Sequence, residues 1–196
     1  MNTTKFDKIK RIAIFGSGGG SNAQAIIDHF EHHKMIEVAL IVSNKQDSFI
    51  LERGAKHNIQ TAVFTKTDFK SAEKILKTLA ENNIDLIVLA GFLLLIPSYL
   101  VEAYPNQIIN IHPALLPKFG GKGMFGMSVH RAVAEAGENK SGPSIHYVNE
   151  KFDEGKIIAQ FKVAIEKEDT PVIIAKKVLA LEHKHYPEVI EQLLTQ

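Results

Sequence analysis

The fold is decided by the stretch IAIFGSGGGSNAQAIIDHF, which occupies residues 12–30. Its first four residues form a short apolar run that stops at Gly16, and residues 22–33 then carry apolar side chains at helical spacing. This order predicts a strand, a glycine-rich turn and a helix. Glycines in such a turn let the backbone approach a ligand, and the N–H groups at the start of the helix attract an anion.

The same alternation continues as far as residue 111. Further apolar runs predict strands at residues 38–42, 62–64, 86–90 and 108–111. Amphipathic segments predict helices at residues 48–58 and 69–82 and a short helix after Pro97. Strands that are apolar on both faces and separated by helices are typical of a parallel sheet covered on both sides. The predicted fold is therefore α/β, with a doubly wound, mostly parallel sheet and helices on both faces.

The rhythm changes after residue 112. The sequence predicts a Gly/Pro-rich loop at 113–127, a helix at 128–137, strands at 144–148 and 157–165, and a long helix at 171–194. Pro187 lies inside this last helix and predicts a kink there. No repeat, low-complexity tract or linker interrupts the chain, so one domain is expected.

Composition narrows the function. The 196 residues include 23 Lys+Arg against 22 Asp+Glu, so the net charge of +1 gives no long-range field to hold nucleic acid or an anionic membrane. A small, locally bound ligand is favoured instead. The absence of cysteine excludes disulfides, thiolate zinc sites and cysteine nucleophiles.

Two further segments bear on location. The most apolar stretch, residues 86–96, holds eleven residues, whereas crossing a bilayer takes about 20. Residues 1–10 are polar and lack the charged-then-apolar arrangement of a signal peptide. We therefore expect a cytoplasmic protein.

The glycine turn favours a phosphate ligand. It is not a P-loop, because no Gly-Lys-Ser/Thr follows, and Ser21 stands where a dinucleotide motif needs its third glycine. The second strand ends in SNK at residues 43–45, without the acidic residue that would hold a ribose diol of NAD. A phosphomonoester is therefore favoured over NAD. The alternative is a turn that only packs the helix on the sheet, with Ser21 or Asn22 as helix cap.

Asn110 and His112 end a predicted central strand, where open α/β sheets collect their chemistry. They stand two residues apart and so share one face of the strand. An amide beside an imidazole can orient a carbonyl and stabilise an oxyanion. Asp153, after the strand that carries His146, is the candidate carboxylate that would raise the pKa of His112 and keep it protonated. The alternative is a structural histidine and a turn-forming aspartate.

Together these motifs resemble the phosphoribosylglycinamide formyltransferases, the folate-dependent glycinamide ribonucleotide transformylases of purine biosynthesis. The resemblance runs from Ile12 to about Leu194. It rests on six ordered motifs: SGGGSN at 17–22, SNK at 43–45, LAGF at 89–92, NIHPALLP at 110–117, FDEG at 152–155 and EHKHYP at 182–187. The Asn-x-His-Pro-x-Leu-Leu-Pro string is specific to folate formyl-transfer enzymes, and its combination with the phosphate loop and the Glu-His element singles out this family.

The resemblance implies a Rossmann-like formyltransferase fold, with residues 1–196 as a single domain. Its N-terminal half would hold the nucleotide phosphate, and its C-terminal half the catalytic and folate-binding elements. The implied reaction transfers the formyl group of 10-formyltetrahydrofolate, a co-substrate, to the amino group of glycinamide ribonucleotide. The products would be N-formylglycinamide ribonucleotide and tetrahydrofolate. No metal, nucleic acid or membrane partner is implied, and the chain is expected to be a monomer or homodimer.

The resemblance also assigns site residues. The catalytic positions fall on Asn110, His112 and Asp153. Nucleotide binding falls on Gly20, Ser21 and Asn22 for the phosphate, on Glu182 for the ribose hydroxyls, and on the adjoining Leu179, Ala180 and Leu181. Folate binding falls on Leu93, Leu94, Leu95, Ile96, Asn110, Asn149, Glu150, Lys151, Phe152, Asp153 and a basic residue that is either Lys66 or Lys70.

Two departures from the family stand out. Leu94 replaces an arginine that many members carry, and the loop at 119–130 is longer than in many bacterial members. Within that loop and the helix after it, His130 and Arg131 are interpreted as a solvated helix face. A metal site at His29, His32 and His33 is disfavoured, because they lie at a helix C-terminus without accompanying carboxylates.

We weigh three rival functions against this one. A tRNA formyltransferase usually carries an added C-terminal domain and a formyltetrahydrofolate hydrolase an added N-terminal one, and 196 residues give room for neither. A nucleotide-binding module without catalysis is the alternative from a different class.

Overall fold

A computed structural model describes residues 8–195 of the chain. Its strands are β1 (Lys10–Gly16), β2 (Ile36–Ser43), β3 (Gln60–Val63), β4 (Leu86–Leu89), β5 (Ile108–His112), β6 (Lys140–Ser141), β7 (Ser144–Tyr147), β8 (Ile157–Gln160) and β9 (Val163–Ala164). Its helices are α1 (Ser21–Phe30), α2 (Phe49–Lys56), α3 (Ala72–Glu81), α4 (Ser98–Ala103), α5 (Met127–Glu135) and α6 (Pro171–Thr195).

Seven of the strands form one sheet in the order β3-β2-β1-β4-β5-β7-β8. The strands from β3 to β5 pair in parallel, whereas β7 runs antiparallel to β5 and β8 antiparallel to β7. The predicted α/β class with a mostly parallel, doubly wound sheet is confirmed. The strand order reverses between β1 and β4, which places a crevice beyond their carboxyl ends.

The core lies on both faces of this sheet because successive side chains of a strand alternate between the faces. Ile12 and Ile14 of β1 pack toward the side of α1 and α6, where Ile26 and Tyr186 are fully buried. The next residue along, Ala13, faces the opposite layer, in which α3 and α4 bury apolar side chains. Helices therefore cover both faces, as the strand pattern predicted.

Two predicted elements are divided in the structure. Residues 157–165 form two strands because, after Gln160, the chain leaves the large sheet and Val163 pairs with Ser141 in a separate two-stranded sheet. The helix predicted at 69–82 is a 3-10 turn at Asp68–Lys70 followed by α3, because Ser71 between them is extended. The last helix runs from Pro171 to Thr195 through Pro187.

Helix α6, the last helix, packs against α1, the first helix. Tyr186 donates its hydroxyl to the carbonyl oxygens of Leu89 and Ile109, at 3.0 and 3.4 Å. At the other end of the helix pair, His29 Nε2 lies 2.7 Å from the Glu191 carboxylate. These contacts fix the position of α6 against the carboxyl ends of β4 and β5.

Of the helices in residues 8–195, none combines the length and the apolar character that crossing a bilayer requires. The same residues contain no cluster of three or more His, Asp or Glu side chains arranged to hold a metal ion.

Candidate active site

A cavity of about 680 Å³ lies beyond the carboxyl ends of β4 and β5. Its walls come from the start of α1, residues 91–96, the turn between β7 and β8, the loop at 121–127 and one face of α6. Most of the predicted site residues line it: Ser21, Asn22, Leu93, Leu94, Leu95, Ile96, Asn110, Asn149, Lys151, Phe152, His112, Asp153, Leu179 and Glu182. Pockets that bind small ligands commonly have volumes of this size.

Five predicted residues lie outside this lining: Gly20, Lys66, Glu150, Ala180 and Leu181. Leu179 and Glu182 are three residues apart and share one face of α6, so the two residues between them point elsewhere. Lys66 is exposed in a turn that Asp68 closes by accepting hydrogen bonds from Thr65. Its alternative, Lys70, is also absent from the lining.

The glycine turn leads directly into α1. Gly20 is the residue before the helix and adopts a left-handed conformation, with φ 68°. A Cβ atom at Gly20 would lie 2.9 Å from Ile50 Cγ1, whereas at Gly18 and Gly19 it would meet nothing within 4 Å. No side chain caps α1, so the alternative in which Ser21 or Asn22 acts as a cap is not what the structure has. The N–H groups of the first turn remain available to an anion.

Glu182 extends from α6 toward this turn. Asn22 donates Nδ2–H to its carboxylate at 2.7 Å, and the Asn22 Oδ1 atom is buried without a partner among the described residues. Burial raises the pKa of Glu182 to about 7, which the hydrogen bond from Asn22 only partly opposes. The pair therefore holds polar groups that protein neighbours leave incompletely satisfied.

Asn110, His112 and Asp153 come together at the opposite wall. His112 Nδ1 lies 3.4 Å from Asp153 Oδ2, and Asn110 Nδ2 lies 3.4 Å from Oδ1 of the same carboxylate. The approach follows from the antiparallel pairing of β5 with β7, after which the chain turns back at Asp153, with φ 57°. Gly155 permits this turn, because a Cβ atom there would lie 1.7 Å from the Tyr147 carbonyl oxygen.

His146 fixes the orientation of the Asn110 amide. His146 Nδ1 lies 2.8 Å from the Tyr147 carbonyl oxygen, which can only accept, so the ring proton is on Nδ1. Its Nε2 therefore accepts from Asn110 Nδ2 at 3.1 Å. Both N–H groups of Asn110 are then engaged, by His146 and Asp153, and its Oδ1 is left as the free group, an acceptor. Register points to this pairing, because Asn110 and His146 stand opposite each other on β5 and β7.

The expectation of a raised pKa for His112 is wrong. Burial lowers the pKa of His112 below its ordinary value, and the Asp153 charge and the Phe119 carbonyl oppose this only in part. The ring Nε2–H donates to the Phe119 carbonyl oxygen at 2.7 Å. The sequence shows the carboxylate but does not show how deeply the imidazole is buried.

Asp153 is the charged member of the group. Burial alone would raise its pKa, but the charge of His112 and the Gly121 amide hold the pKa below its ordinary value. The Gly121 N–H donates to Asp153 Oδ2 at 2.9 Å. A carboxylate is therefore maintained behind the imidazole.

The sequence analysis missed two parts of the site. Residues 121–127 line the cavity, including the exposed apolar side chains Phe125 and Met127. His130 also lines it and is 6% exposed, which corrects the interpretation of a solvated helix face. Val129 and Val133 bury the side of α5 that carries His130. Their helical spacing is the sequence signal that could have predicted the burial of His130.

Comparisons with known proteins show the family to which the chain belongs. The family model described as formyl transferase matches residues 10–190. The chain is 45% identical over 140 residues to the chloroplastic phosphoribosylglycinamide formyltransferase of Arabidopsis thaliana, covering 68% of this chain and 48% of that protein. The match thus spans about half the length of this plant relative.

The matches to solved structures cover a larger share of both chains. The phosphoribosylglycinamide formyltransferase of Bacillus halodurans superimposes with a TM-score of 0.86 at 38% identity, covering 95% of this chain and 96% of that one. For the enzyme of Coxiella burnetii the TM-score is 0.87 at 35% identity, with 96% and 88% covered. The resemblance predicted from the motifs is confirmed: the chain belongs to the formyl transferase family.

Proposed function

We propose that this chain transfers the formyl group of 10-formyltetrahydrofolate to the amino group of glycinamide ribonucleotide. One observation carries the proposal. A single cavity joins an uncapped helix start and a buried carboxylate, Glu182, to the cluster of Asn110, His112 and Asp153. A phosphorylated sugar fits the first end, and acyl-transfer chemistry fits the second.

In the proposed complex, the phosphate lies at the N–H groups that begin α1, and Glu182 accepts hydrogen bonds from the ribose hydroxyls. The amine of the nucleotide then points toward Asn110. The folate lies along residues 93–96 and 149–153, where Leu93 and Leu95 are exposed to the cavity mouth. Gly20, Ala180, Leu181, Glu150 and Lys66 lie outside the cavity lining and are given no direct contact with either substrate.

In the proposed reaction, the neutral amine attacks the formyl carbon, and the carbonyl electron pair moves onto oxygen. Asn110 Oδ1 accepts a hydrogen bond from the amine. The His112 Nε2–H leaves the Phe119 carbonyl and donates a hydrogen bond to the oxyanion, while the Asp153 charge opposes the effect of burial on the pKa of the ring. Collapse of the intermediate re-forms the carbonyl and breaks its bond to folate nitrogen N10. That nitrogen takes up the proton that the amine loses.

An absorbance assay for tetrahydrofolate tests the function directly. We expect tetrahydrofolate to form from 10-formyltetrahydrofolate only when glycinamide ribonucleotide is present. Formation without the nucleotide would indicate a hydrolase, and nucleotide binding without tetrahydrofolate would indicate a binding module. His112→Ala is expected to remove most turnover while leaving nucleotide affinity unchanged, since the imidazole lies at the formyl carbon and not at the phosphate.

The remaining expectations belong to the same proposal. The chain acts in the cytoplasm as one domain, monomeric or homodimeric, on small molecules and without nucleic acid or membrane. The near-neutral net charge of +1 supports small ligands over polyanions. Sedimentation of the purified protein and fractionation of cells that express it test these points.

A further inference from the structure

His130 is the buried ring in the cavity wall that the proposed reaction leaves without a role. It lies in α5, is 6% exposed and lines the same cavity as His112 and Glu182. Its Nδ1 atom is buried and has no hydrogen-bond partner in residues 8–195. A buried polar ring without a protein partner, facing a cavity, indicates a group that a ligand completes.

The unpartnered nitrogen fixes the position of the ring proton. A neutral imidazole carries one N–H, and a buried N–H without an acceptor costs more free energy than a buried lone pair without a donor. The proton is therefore on Nε2, and Nδ1 keeps its lone pair. Burial lowers the pKa of His130, and the neighbouring His112 lowers it further.

The packing of α5 places His130 beside the wall of the cavity that α6 forms. Val129 and Val133 of α5 are buried against Ile174 and Val178 of α6. The cavity wall beside them is formed by Leu179 and Glu182, the residues of α6 on the nucleotide side. His130 thus shares one cavity with the carboxylate proposed for the ribose and the imidazole proposed for the formyl carbon.

We propose that His130 is a nucleotide-binding residue whose Nε2–H donates a hydrogen bond to the glycinamide carbonyl oxygen of the acceptor substrate. This part of the substrate joins the ribose to the attacking amine, and its carbonyl is an acceptor of the kind that a neutral N–H donor matches. The inference rests on the proposed function and names a contact within it. A substrate of the same length without that carbonyl would lose the contact.

Steady-state kinetics on two variants test the contact. His130→Phe keeps a planar ring and removes the donor, so we expect the KM for glycinamide ribonucleotide to rise about tenfold, which corresponds to 1.4 kcal/mol. The KM for 10-formyltetrahydrofolate and kcat should stay within about twofold. His130→Gln retains an N–H donor and should recover most of the affinity. Arg131→Gln, at the exposed neighbour on the same helix, is the matched control.

Nitrogen NMR of the histidine rings tests the same inference in the unaltered protein. We expect the His130 signals of the Nε2–H tautomer, and a change in the Nε2 signal when glycinamide ribonucleotide is added. A ring protonated on Nδ1, equal increases in both KM values, or an unchanged KM in His130→Phe would overturn the assignment. If the wild-type protein forms tetrahydrofolate and His130→Phe is kinetically unchanged, only this inference fails. If the wild-type protein forms none, the proposed function fails and this contact with it.

Discussion

The two ends of the cavity differ in how completely the protein satisfies its own polar groups. At the end proposed for catalysis, called the catalytic end below, which comprises Asn110, His112, His146 and Asp153, each side chain has hydrogen-bond or ion-pair partners within the protein. At the nucleotide end, which comprises residues 18–22 and Glu182, α1 is uncapped, Asn22 Oδ1 is unpartnered and the Glu182 carboxyl is buried.

This difference separates two ways of building a site. The catalytic end is oriented before any substrate arrives, because a network whose members are paired holds them in place. The nucleotide end buries polar groups without enough protein partners, and a ligand with a phosphate and hydroxyl groups would supply the missing hydrogen bonds. Substitutions at the nucleotide end should therefore change mainly the stability of the protein, and substitutions at the catalytic end mainly the turnover rate. Four predictions test this comparison.

The largest effect is expected on stability, at Glu182. Its pKa is raised from 4.5 to about 7 in the folded chain, so its contribution to stability is complete below pH 4.5 and is lost as pH rises through 7. The difference corresponds to about 3 kcal/mol at pH 8. Glu182→Gln removes this loss, and denaturant unfolding should show it more stable than wild type by about that amount at pH 8.

Below pH 4.5 the two proteins should differ little in the free energy of unfolding, since the wild-type carboxyl is then protonated in both states. Glu188→Gln, at a more exposed carboxylate of the same helix, is the matched control. Equal stability of Glu182→Gln and wild type at pH 8 would contradict the view that the nucleotide end is unsatisfied.

The second effect concerns orientation at the catalytic end. Asp153→Asn keeps the size of the side chain and removes its charge, so kcat should fall roughly 10²-fold with nucleotide affinity unchanged. The pKa of His112 should fall further, because the Asp153 charge is what opposes the effect of burial. Steady-state assays measure the change in kcat, and NMR titration measures the change in the pKa of His112.

Glu154→Gln supplies the control for this variant, because Glu154 is exposed and pairs with Lys151 outside the network. A kcat for Asp153→Asn within a few-fold of wild type would remove the carboxylate from the mechanism. An unchanged kcat together with a lowered pKa of His112 would be more informative still, since it would show that the charge of the ring is not needed for turnover.

A third, smaller effect is expected at the glycine turn. Gly19→Val places a side chain where nothing lies within 4 Å, so the fold should tolerate it. The added atoms crowd the approach of the phosphate, and the KM for the nucleotide should rise roughly tenfold, which corresponds to 1.4 kcal/mol. The KM for the folate should not change. Gly20→Val is unsuitable, since its left-handed φ and the 2.9 Å contact with Ile50 would destabilise the protein.

The smallest effect is expected at Leu94. It is half-buried in the cavity wall, and truncation removes apolar contact of the kind worth about 1.4 kcal/mol. Leu94→Ala should therefore weaken folate affinity by no more than about tenfold, measured by calorimetry. A loss of several orders of magnitude would show that this wall orients the folate as strictly as the catalytic end orients the formyl carbon.

Sequence reasoning went furthest where local periodicity decides the structure. The strands from Ile12 to Ile111 and the helices between them follow from apolar spacing, and the motifs identify Asn110 and His112 at a strand end. Proximity to Asp153 does not follow from spacing, because it depends on β7 reversing direction beside β5. The motif supplied the residue, and the antiparallel register supplied the contact.

Burial is the second property that the sequence could not give. The pKa of His112 was predicted in the wrong direction because the depth of the imidazole sets it more strongly than the neighbouring charge. His130 was placed on a solvated face together with Arg131, although Val129 and Val133 bury that side of α5. Lys66 was assigned to the folate by analogy, but the closed turn around it keeps it out of the cavity lining.

The contact between Asn22 and Glu182 spans 160 positions of the chain. Ribosomes add about 5–20 residues per second, so roughly 8–32 s separate the synthesis of these two side chains. During that interval the glycine turn can emerge and fold, but the wall that α6 provides does not yet exist. The wall that Glu182 supplies to the proposed nucleotide site is therefore complete only after the last helix has docked.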